Sequence, residues 1–355
     1  MFTYKWNLKD LEKVSKNGYK VFSCFAGGGG SSQGYKMAGY EVIGCNEIDK
    51  RQMEIYLHNL KPKYSYLEDI RTFRLREDLP KELFELDILD ASFPCSLFST
   101  ANSKADDKKG KEVKFREGQV KQTLDDLAFE TIKLVDKLKP KICVFENVKG
   151  LLNEKNKWYV EQIYKQFENI GYRICHHLIN CADLGVPQKR QRVFFFAVRK
   201  NINVPTNDIF GCEPYLNLDI KEKWIKFKEC EIEKSTNGKR IHKGMIDFFK
   251  ECKKGANFST VSPKGKNYWF NYVKIDDNDA CPTLASANHD KLFHYNIPEQ
   301  LSDEQWIICG SWSQDYNWLN QKPKYVLGMS VPPLAMYRIS KEIQTQWLDK
   351  LKDNK

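Results

Sequence analysis

Between Tyr19 and Lys200 the chain repeats one pattern: a short run of β-branched or aromatic residues, then a segment with apolar residues at helical spacing. The runs are "YKVFSCFAG", "EVIGCNEID", "SYLEDI", "LDILDASFP", "KICVFENV", "YRICHHLIN" and "RVFFFAVR". Between them stand "SSQGYKMAG", "DKRQMEIYLHNL", "QTLDDLAFETIKLVDKLK" and "NKWYVEQIYKQFENIG", the last three long enough to cross over a sheet face. This alternation predicts an α/β fold, a doubly wound and mostly parallel sheet made of βα units.

Beyond Arg199 the pattern breaks. Asn, Lys, Gly and Pro mix with aromatics in "NINVPTNDIFGCEPYLNLDIKEKW" and again in "KGANFSTVSPKGKNYWFNYVKI". Such composition suits a smaller irregular domain that presents Lys, Asn, Tyr and Trp on a surface. The last segment, "SVPPLAMYRISKEIQTQWLDKLK", reads as a helix started by prolines, with one apolar face that packs back on the sheet. The expected division is therefore residues 1–199, 200–310, and a C-terminal segment 311–355 that returns to the first domain.

With 355 residues, 41% hydrophobic and 29% charged, the chain has the size and composition of a soluble globular enzyme. No apolar stretch approaches the roughly 20 residues that span a bilayer, and the charged N-terminus lacks the apolar centre of a signal peptide. No membrane partner and a cytoplasmic location are expected. The eleven cysteines are scattered and form no C-x-x-C pair, so they read as reduced thiols without a metal. A formal charge of +10 and a pI near 8.9 favour a polyanionic partner, provided a site supports it.

Candidate sites cluster where the strands end. "FAGGGGSSQG" follows the first strand and opens the first helix, leaving a ligand room to approach the backbone at a helix N-terminus. Its plain alternative is a glycine-rich turn without a ligand. Glu47 ends the second strand, where such folds hold ribose hydroxyls, and Asp69 after the third is placed to reach an adenine amine. The glycines fail G-x-G-x-x-G in every register, at Ser32, Gln33 or Ser31, which counts against a dinucleotide.

Cys95 in "ASFPCSLFST" lies just past an apolar run rather than within it, presented at the edge where open sheets bind ligands. Alone, such a cysteine is more often structural, because reactivity requires an electropositive setting. Glu146 in "ENV" closes an apolar run, and partial desolvation there would raise its pKa and let it carry a proton; a buried salt bridge is the alternative. Alternation along "QKRQR" sends Arg190 and Arg192 to one side, either as surface charge or as a pair aimed at the cleft.

The order and spacing of "FAGGGGSSQG", "FPCSLFS", "ENV", "QKRQR" and "GMSVPP" resemble the DNA (cytosine-5) methyltransferase family of bacterial or phage type. The resemblance runs from about Val21 to Val198 and from about Cys281 to Ile343. It implies a sheet of the S-adenosylmethionine-dependent methyltransferase type, with target recognition in the irregular domain. It further implies that Cys95 adds to C6 of a flipped-out cytosine in duplex DNA, that Glu146 protonates N3, and that Arg192 holds O2 while Arg190 supports the site or contacts the backbone. S-adenosylmethionine would lie against Phe25, Gly27, Gly28 and Gly30, with Glu47 on the ribose, Ile48 and Ile70 against the adenine and Asp69 on its amine. Pro94, Ser330 and Val331 complete the cofactor set. The loop 96–119, with its lysines and glycines, would close over DNA; a solvated linker is the alternative.

Two departures stand out. Met329 replaces the asparagine usual in the family's Gly-Asn-Ser-Val, and the arginine often found just upstream of Pro282 and Thr283 is missing. Three rival readings are an RNA cytosine methyltransferase, a silent DNA-binding module and a nicotinamide-dependent oxidoreductase. The first lacks its Cys-Phe-Thr tripeptide here, the second would be expected to lose Cys95, Glu146 or Arg192, and the third lacks its glycine spacing. A monomer is expected, with a cognate restriction endonuclease encoded nearby as one candidate partner. The recognised DNA sequence is not written in any residue code.

Overall fold

The computed structural model describes residues 1–94, 126–207, 213–232, 238–262, 272–286 and 290–352. They form two compact units, each discontinuous in the chain. The first comprises residues 13–179, 191–219 and 336–355; the second comprises 1–12, 180–190 and 220–335. These boundaries differ from cuts at 199 and 310, because a few residues before the last long strand pair with a distant segment of the second unit.

The first unit is built on a seven-stranded sheet. Its strands are β1 (Lys20–Cys24), β2 (Glu41–Glu47), β3 (Tyr64–Leu67), β4 (Ile88–Ala91), β5 (Ile142–Val148), β6 (Tyr172–Asn180) and, after the two-residue β7 (Gln188–Lys189), β8 (Gln191–Arg199). The order across the sheet is β3-β2-β1-β4-β5-β8-β6. β1 pairs in parallel with β2 and β4, β2 with β3, and β4 with β5. β8 enters antiparallel to β5, so its first residues lie at the edge where the parallel strands end. The order reverses between β1 and β4, and ligands of open sheets bind in the crevice at such a reversal.

Strand alternation sorts the side chains. Phe22, Leu89, Phe145, Phe195 and Ala197 belong to one apolar core with residues of α4 (Leu127–Leu138) and α5 (Lys157–Asn169). Phe22 stacks on Phe73 of the short α3 (Ile70–Phe73) at a ring separation of 5.4 Å. Residues one position on face the other side. There Ser23 and Asp90 meet Tyr35 of α1 (Gly30–Met37), which itself packs edge-on against Tyr40. The Tyr40 hydroxyl donates to Ser340 O, and Trp347 stands edge-on to Phe196. The C-terminal helix thus packs back on the sheet as its apolar face predicts.

α1 begins at Gly29 with φ 87°, and a Cβ there would fall 2.3 Å from Leu60 Cδ1 at the end of α2 (Lys50–Leu60). A side chain there would be strained by the left-handed turn and would have to displace Leu60.

The second unit is sparse in regular structure. It holds α6 (Ile246–Glu251), α7 (Asp303–Cys309), α8 (Pro323–Met329) and the two-residue strands β9 (Val273–Lys274), β10 (Cys281–Pro282) and β11 (Leu292–Phe293). β7 pairs with β10, which draws residues 180–190 into this unit. A small aromatic core, with Phe258 stacked on Phe293 at 5.1 Å, does the work that a sheet does in the first unit. α7 carries a reciprocal cap, Ser302 Oγ accepting from Gln305 N while Gln305 Oε1 accepts from Ser302 N. No helix among the described residues is long and apolar enough to cross a membrane.

Asp90 is a buried carboxyl, 1% exposed, that accepts from Ser23 Oγ at 3.0 Å and from Tyr35 OH at 3.4 Å. Burial, with the charge of Glu146 adding to it, pushes its pKa up to about 7 against the opposing hydroxyl bonds. A carboxyl whose folded pKa is raised contributes stability that is complete below about pH 4 and is lost as the pH rises through about 7. Asp90→Asn is therefore expected to gain stability relative to the wild type across that window, by a few kcal/mol at pH 8. Urea unfolding at pH 4 and pH 8 checks it; a gap independent of pH would refute the assignment.

Candidate active site

β5 and β8 bring two charges together. In their antiparallel register Glu146 lies opposite Phe194 and Val148 opposite Arg192, so Glu146 and Arg192 are diagonal neighbours on one face. Arg192 Nε stands 2.9 Å from Glu146 Oε1, and the residues are only 9% and 6% exposed. Arg192 Nη1 also donates to Gln191 O at 2.8 Å. The buried salt bridge that stood as the alternative for Glu146 is thus present, and its cation is one of the two arginines singled out beside it.

Asn147, between them in the sequence, does a job that spacing alone did not reveal. Its Nδ2 donates to Phe93 O at 3.1 Å, and its Oδ1 accepts from Val148 N at 2.9 Å. It therefore ties the end of β5 to the segment Phe93–Pro94 that leads out of β4. Cys95 itself, and the loop 96–119, lie outside the described residues. The nine described cysteines are all buried and unbridged.

At the reversal between β1 and β4, the glycine loop runs through three left-handed residues, Phe25 at φ 53°, Gly27 at φ 51° and Gly29 at φ 87°. Phe25 is held there at a steric cost that glycine would not meet. Gly27 N donates to Glu47 Oε2 at 2.7 Å, and Asp49 N to Glu47 Oε1 at 2.8 Å. Burial raises the Glu47 pKa, while these backbone donors oppose the shift. Gly28 and Gly30 are buried, Ile48 and Pro94 half-buried. Asp69 caps α3 by accepting from Arg71 N at 2.8 Å, and its Oδ2 lies 3.0 Å from Arg71 Nη1. Ile70 is buried in the apolar core.

Arg190, Ser330 and Val331 belong to the second unit. The Arg190 guanidinium, 1% exposed, donates to Leu284 O at 2.7 Å and Gly328 O at 3.2 Å, so it braces main chain from two segments. Ser330 Oγ donates to Val326 O at 2.8 Å at the end of α8, Val331 is buried, and Met329 is exposed. Thr283 Oγ1 donates to Lys189 O at 2.6 Å, which reinforces the β7–β10 pair.

The profile of C-5 cytosine-specific DNA methylases matches residues 19–345, most of the chain. The chain belongs to this family. It is 35% identical over 209 residues to the Type II methyltransferase M.FnuDI of Fusobacterium nucleatum, a match covering 58% of this chain and 54% of that one. It is 24% identical to M.NgoFVII of Neisseria gonorrhoeae, covering 93% and 87%. With M.FnuDI at 54% and M.Bsp6I of Bacillus sp. (strain RFL6) at 59%, the chain spans little more than half the length of these curated relatives. Among solved structures, a DNMT2 variant from Spodoptera frugiperda superposes with a TM-score of 0.65 at 14% identity, covering 92% of this chain and 99% of that one. The Entamoeba histolytica methyltransferase EhMeth gives 0.62 at 14%, covering 94% and 98%. Both share the fold, a mixed α/β architecture on a mostly parallel sheet.

Methyltransferases generally use S-adenosylmethionine, and the glycine loop fits an adenosyl ligand. Among the described residues outside the loop's own chain, one atom alone, Gln52 Oε1 at 4.0 Å, approaches the point where a Cβ on Gly27 would stand. Among the described residues nothing stands closer over that glycine. Both Glu47 oxygens are held by backbone donors, which orients the carboxylate and leaves lone pairs for hydroxyl donors. No group of three or more potential ligands for a metal ion occurs among the described residues.

The Glu146–Arg192 pair yields a stability prediction for this methylase-family fold. Arg192→Met leaves Glu146 buried without its cation and is expected to cost about 3–5 kcal/mol. Adding Glu146→Gln in the same chain should recover most of that loss. A double-mutant cycle by denaturant unfolding checks it, and additive losses would show that the two groups are independent.

Proposed function

We propose that the protein transfers a methyl group from S-adenosylmethionine to C5 of a cytosine flipped out of a short, specific sequence in duplex DNA, through a covalent bond between Cys95 and C6. The observation that carries this reading is the buried Glu146–Arg192 pair, set at the sheet edge toward which Phe93 and Pro94 lead. Membership in the C-5 cytosine-specific family supports the same chemistry.

Cytosine C5 is too weak a nucleophile to take a methyl group unaided. Cys95 supplies a thiolate that bonds to C6, and the electron pair of the C5=C6 bond becomes available at C5. Glu146 takes up a proton from solvent as the base binds and passes it to N3 to stabilise this adduct, and Arg192 hydrogen-bonds O2 of the ring. Its ion pair with Glu146 keeps both side chains aimed at one ring edge before the base arrives. When bound, S-adenosylmethionine would supply the methyl group as an electrophile on a sulfonium centre, its sulfur keeping the bond pair as a neutral thioether. A water then takes the C5 proton, the freed electron pair re-forms the C5=C6 bond as the C6–S bond breaks, Cys95 leaves as the thiolate, and N3 returns its proton to Glu146. Arg190 supports the surrounding backbone rather than touching the base.

Glu47 and the loop of Phe25, Gly27, Gly28 and Gly30 would hold the cofactor's ribose and amino-acid portions, with Ile48, Asp69, Ile70 and Pro94 around the adenine end. Ser330 and Val331 are proposed as further cofactor contacts. Target recognition is assigned to residues within 200–310, which read base edges in the major groove, with 1–199 and 311–355 forming the catalytic domain. The target base must leave the stack for its ring to be reached. The protein would work as a cytoplasmic monomer. A restriction endonuclease encoded nearby is the partner that the Type II names of its relatives suggest.

Expression in a host followed by bisulfite sequencing of its genomic DNA tests the reading. The wild type is expected to protect cytosines in one short context. Cys95→Ser should abolish protection while S-adenosylmethionine binding by calorimetry stays within about twofold. Residual turnover above a few per cent in Cys95→Ser would refute the nucleophile assignment, and methyl incorporation into RNA alone would refute the DNA substrate.

A further inference from the structure

Gln52 lies in the first turn of α2, where Asp49 caps the helix. The residue is 2% exposed, and among the described residues neither Nε2 nor Oε1 has a hydrogen-bond partner. Buried amides are satisfied in the great majority of cases, and each orphaned donor or acceptor costs about 1–3 kcal/mol. Packing does not account for it, since methionine would fill a similar volume without that cost.

The position of the amide does account for it. Gln52 Oε1 faces the Gly27 turn, at 4.0 Å from the point where a Cβ on that glycine would stand. On the same turn Gly27 N donates to Glu47 Oε2, so the carboxylate and the amide flank one small cradle. The carboxylate only accepts, while the amide both donates and accepts. A hydroxyl group, itself donor and acceptor, satisfies both neighbours.

We infer that Gln52 is a further binding residue of the glycine-loop site, its carboxamide hydrogen-bonding a ribose hydroxyl of the adenosyl ligand. The inference rests on the S-adenosylmethionine reading given above. Ligand-free, the amide is a local cost; ligand-bound, that cost is relieved and appears as affinity. Replacing it therefore moves stability and affinity in opposite directions, which a residue that merely packs does not do.

Isothermal calorimetry with S-adenosylmethionine on the wild type and on Gln52→Met, with adenosine as competitor, tests this. Gln52→Met is expected to raise the unfolding midpoint of the ligand-free protein and to weaken S-adenosylmethionine and adenosine binding by the same factor, about tenfold. Calorimetric stoichiometry counts folded protein separately from affinity, so a variant that folds poorly lowers the number of sites and not their strength. Affinity within twofold of wild type overturns the inference, and so does a loss seen with S-adenosylmethionine but not with adenosine. A wild type that binds neither compound overturns the cofactor reading and this inference with it, and is recognised before any variant is made.

Discussion

Two opposite charges held nearly out of water at one edge of a sheet set the terms for the rest of the first unit. Desolvating Glu146 and Arg192 costs several kcal/mol per ion, which their attraction offsets only when the geometry is held. The antiparallel register of β5 and β8 holds it, by making the two residues diagonal neighbours with no freedom to slip. A slip by one residue would turn Arg192 to the opposite face, toward the apolar core that Phe195 and Ala197 fill. The continuous burial of β8 and its stacked phenylalanines therefore do more than supply hydrophobic area. They fix the register on which the ion pair depends.

The same face carries Asp90, which has no cationic partner among the described residues. Two carboxyls on one face of adjacent strands cannot both be paired by a single arginine, and the outcome follows burial. Arg192 goes to Glu146 at the strand end, and Asp90, one strand over, is left to the hydroxyls of Ser23 and Tyr35 with its pKa near 7. That carboxyl sits between β1, which leads into the glycine loop, and α1, which leads out of it. The loop is thus supported from beneath by a hydrogen-bonded group whose charge state changes near neutral pH.

Much of this was legible in the apolar runs. All seven became strands of one sheet, and the long helical segments became α2, α4 and α5, because buried strands and amphipathic helices are set by local composition. What local composition does not carry is pairing. "RVFFFAVR" reads alike for a parallel or an antiparallel strand, so its insertion between β5 and β6 had no signal, and neither did the contact of Arg192 with Glu146. Arg190 shows the limit of alternation: the strand ends between it and Arg192, and its guanidinium turns to the carbonyls of Leu284 and Gly328 within the second unit. Gln52 was hidden for another reason. A glutamine in the first turn of an amphipathic helix reads as a solvated residue, and only its burial beside Gly27 reveals an amide in search of partners.

Burial also sorts the thiols. Desolvation pushes the pKa of Cys24, Cys45 and Cys143 well up, and that of Cys175 up to about 12, so none of these forms a thiolate near neutral pH. The other described cysteines are buried as well, in a chain with eleven. The remaining two, Cys95 and Cys212, lie outside the described residues. Only Cys95 follows directly on Phe93 and Pro94, the segment that Asn147 ties to the strand bearing Glu146. A thiol within the core is costly to ionise, and the nucleophile proposed above is one that the sequence sets after the apolar run rather than within it.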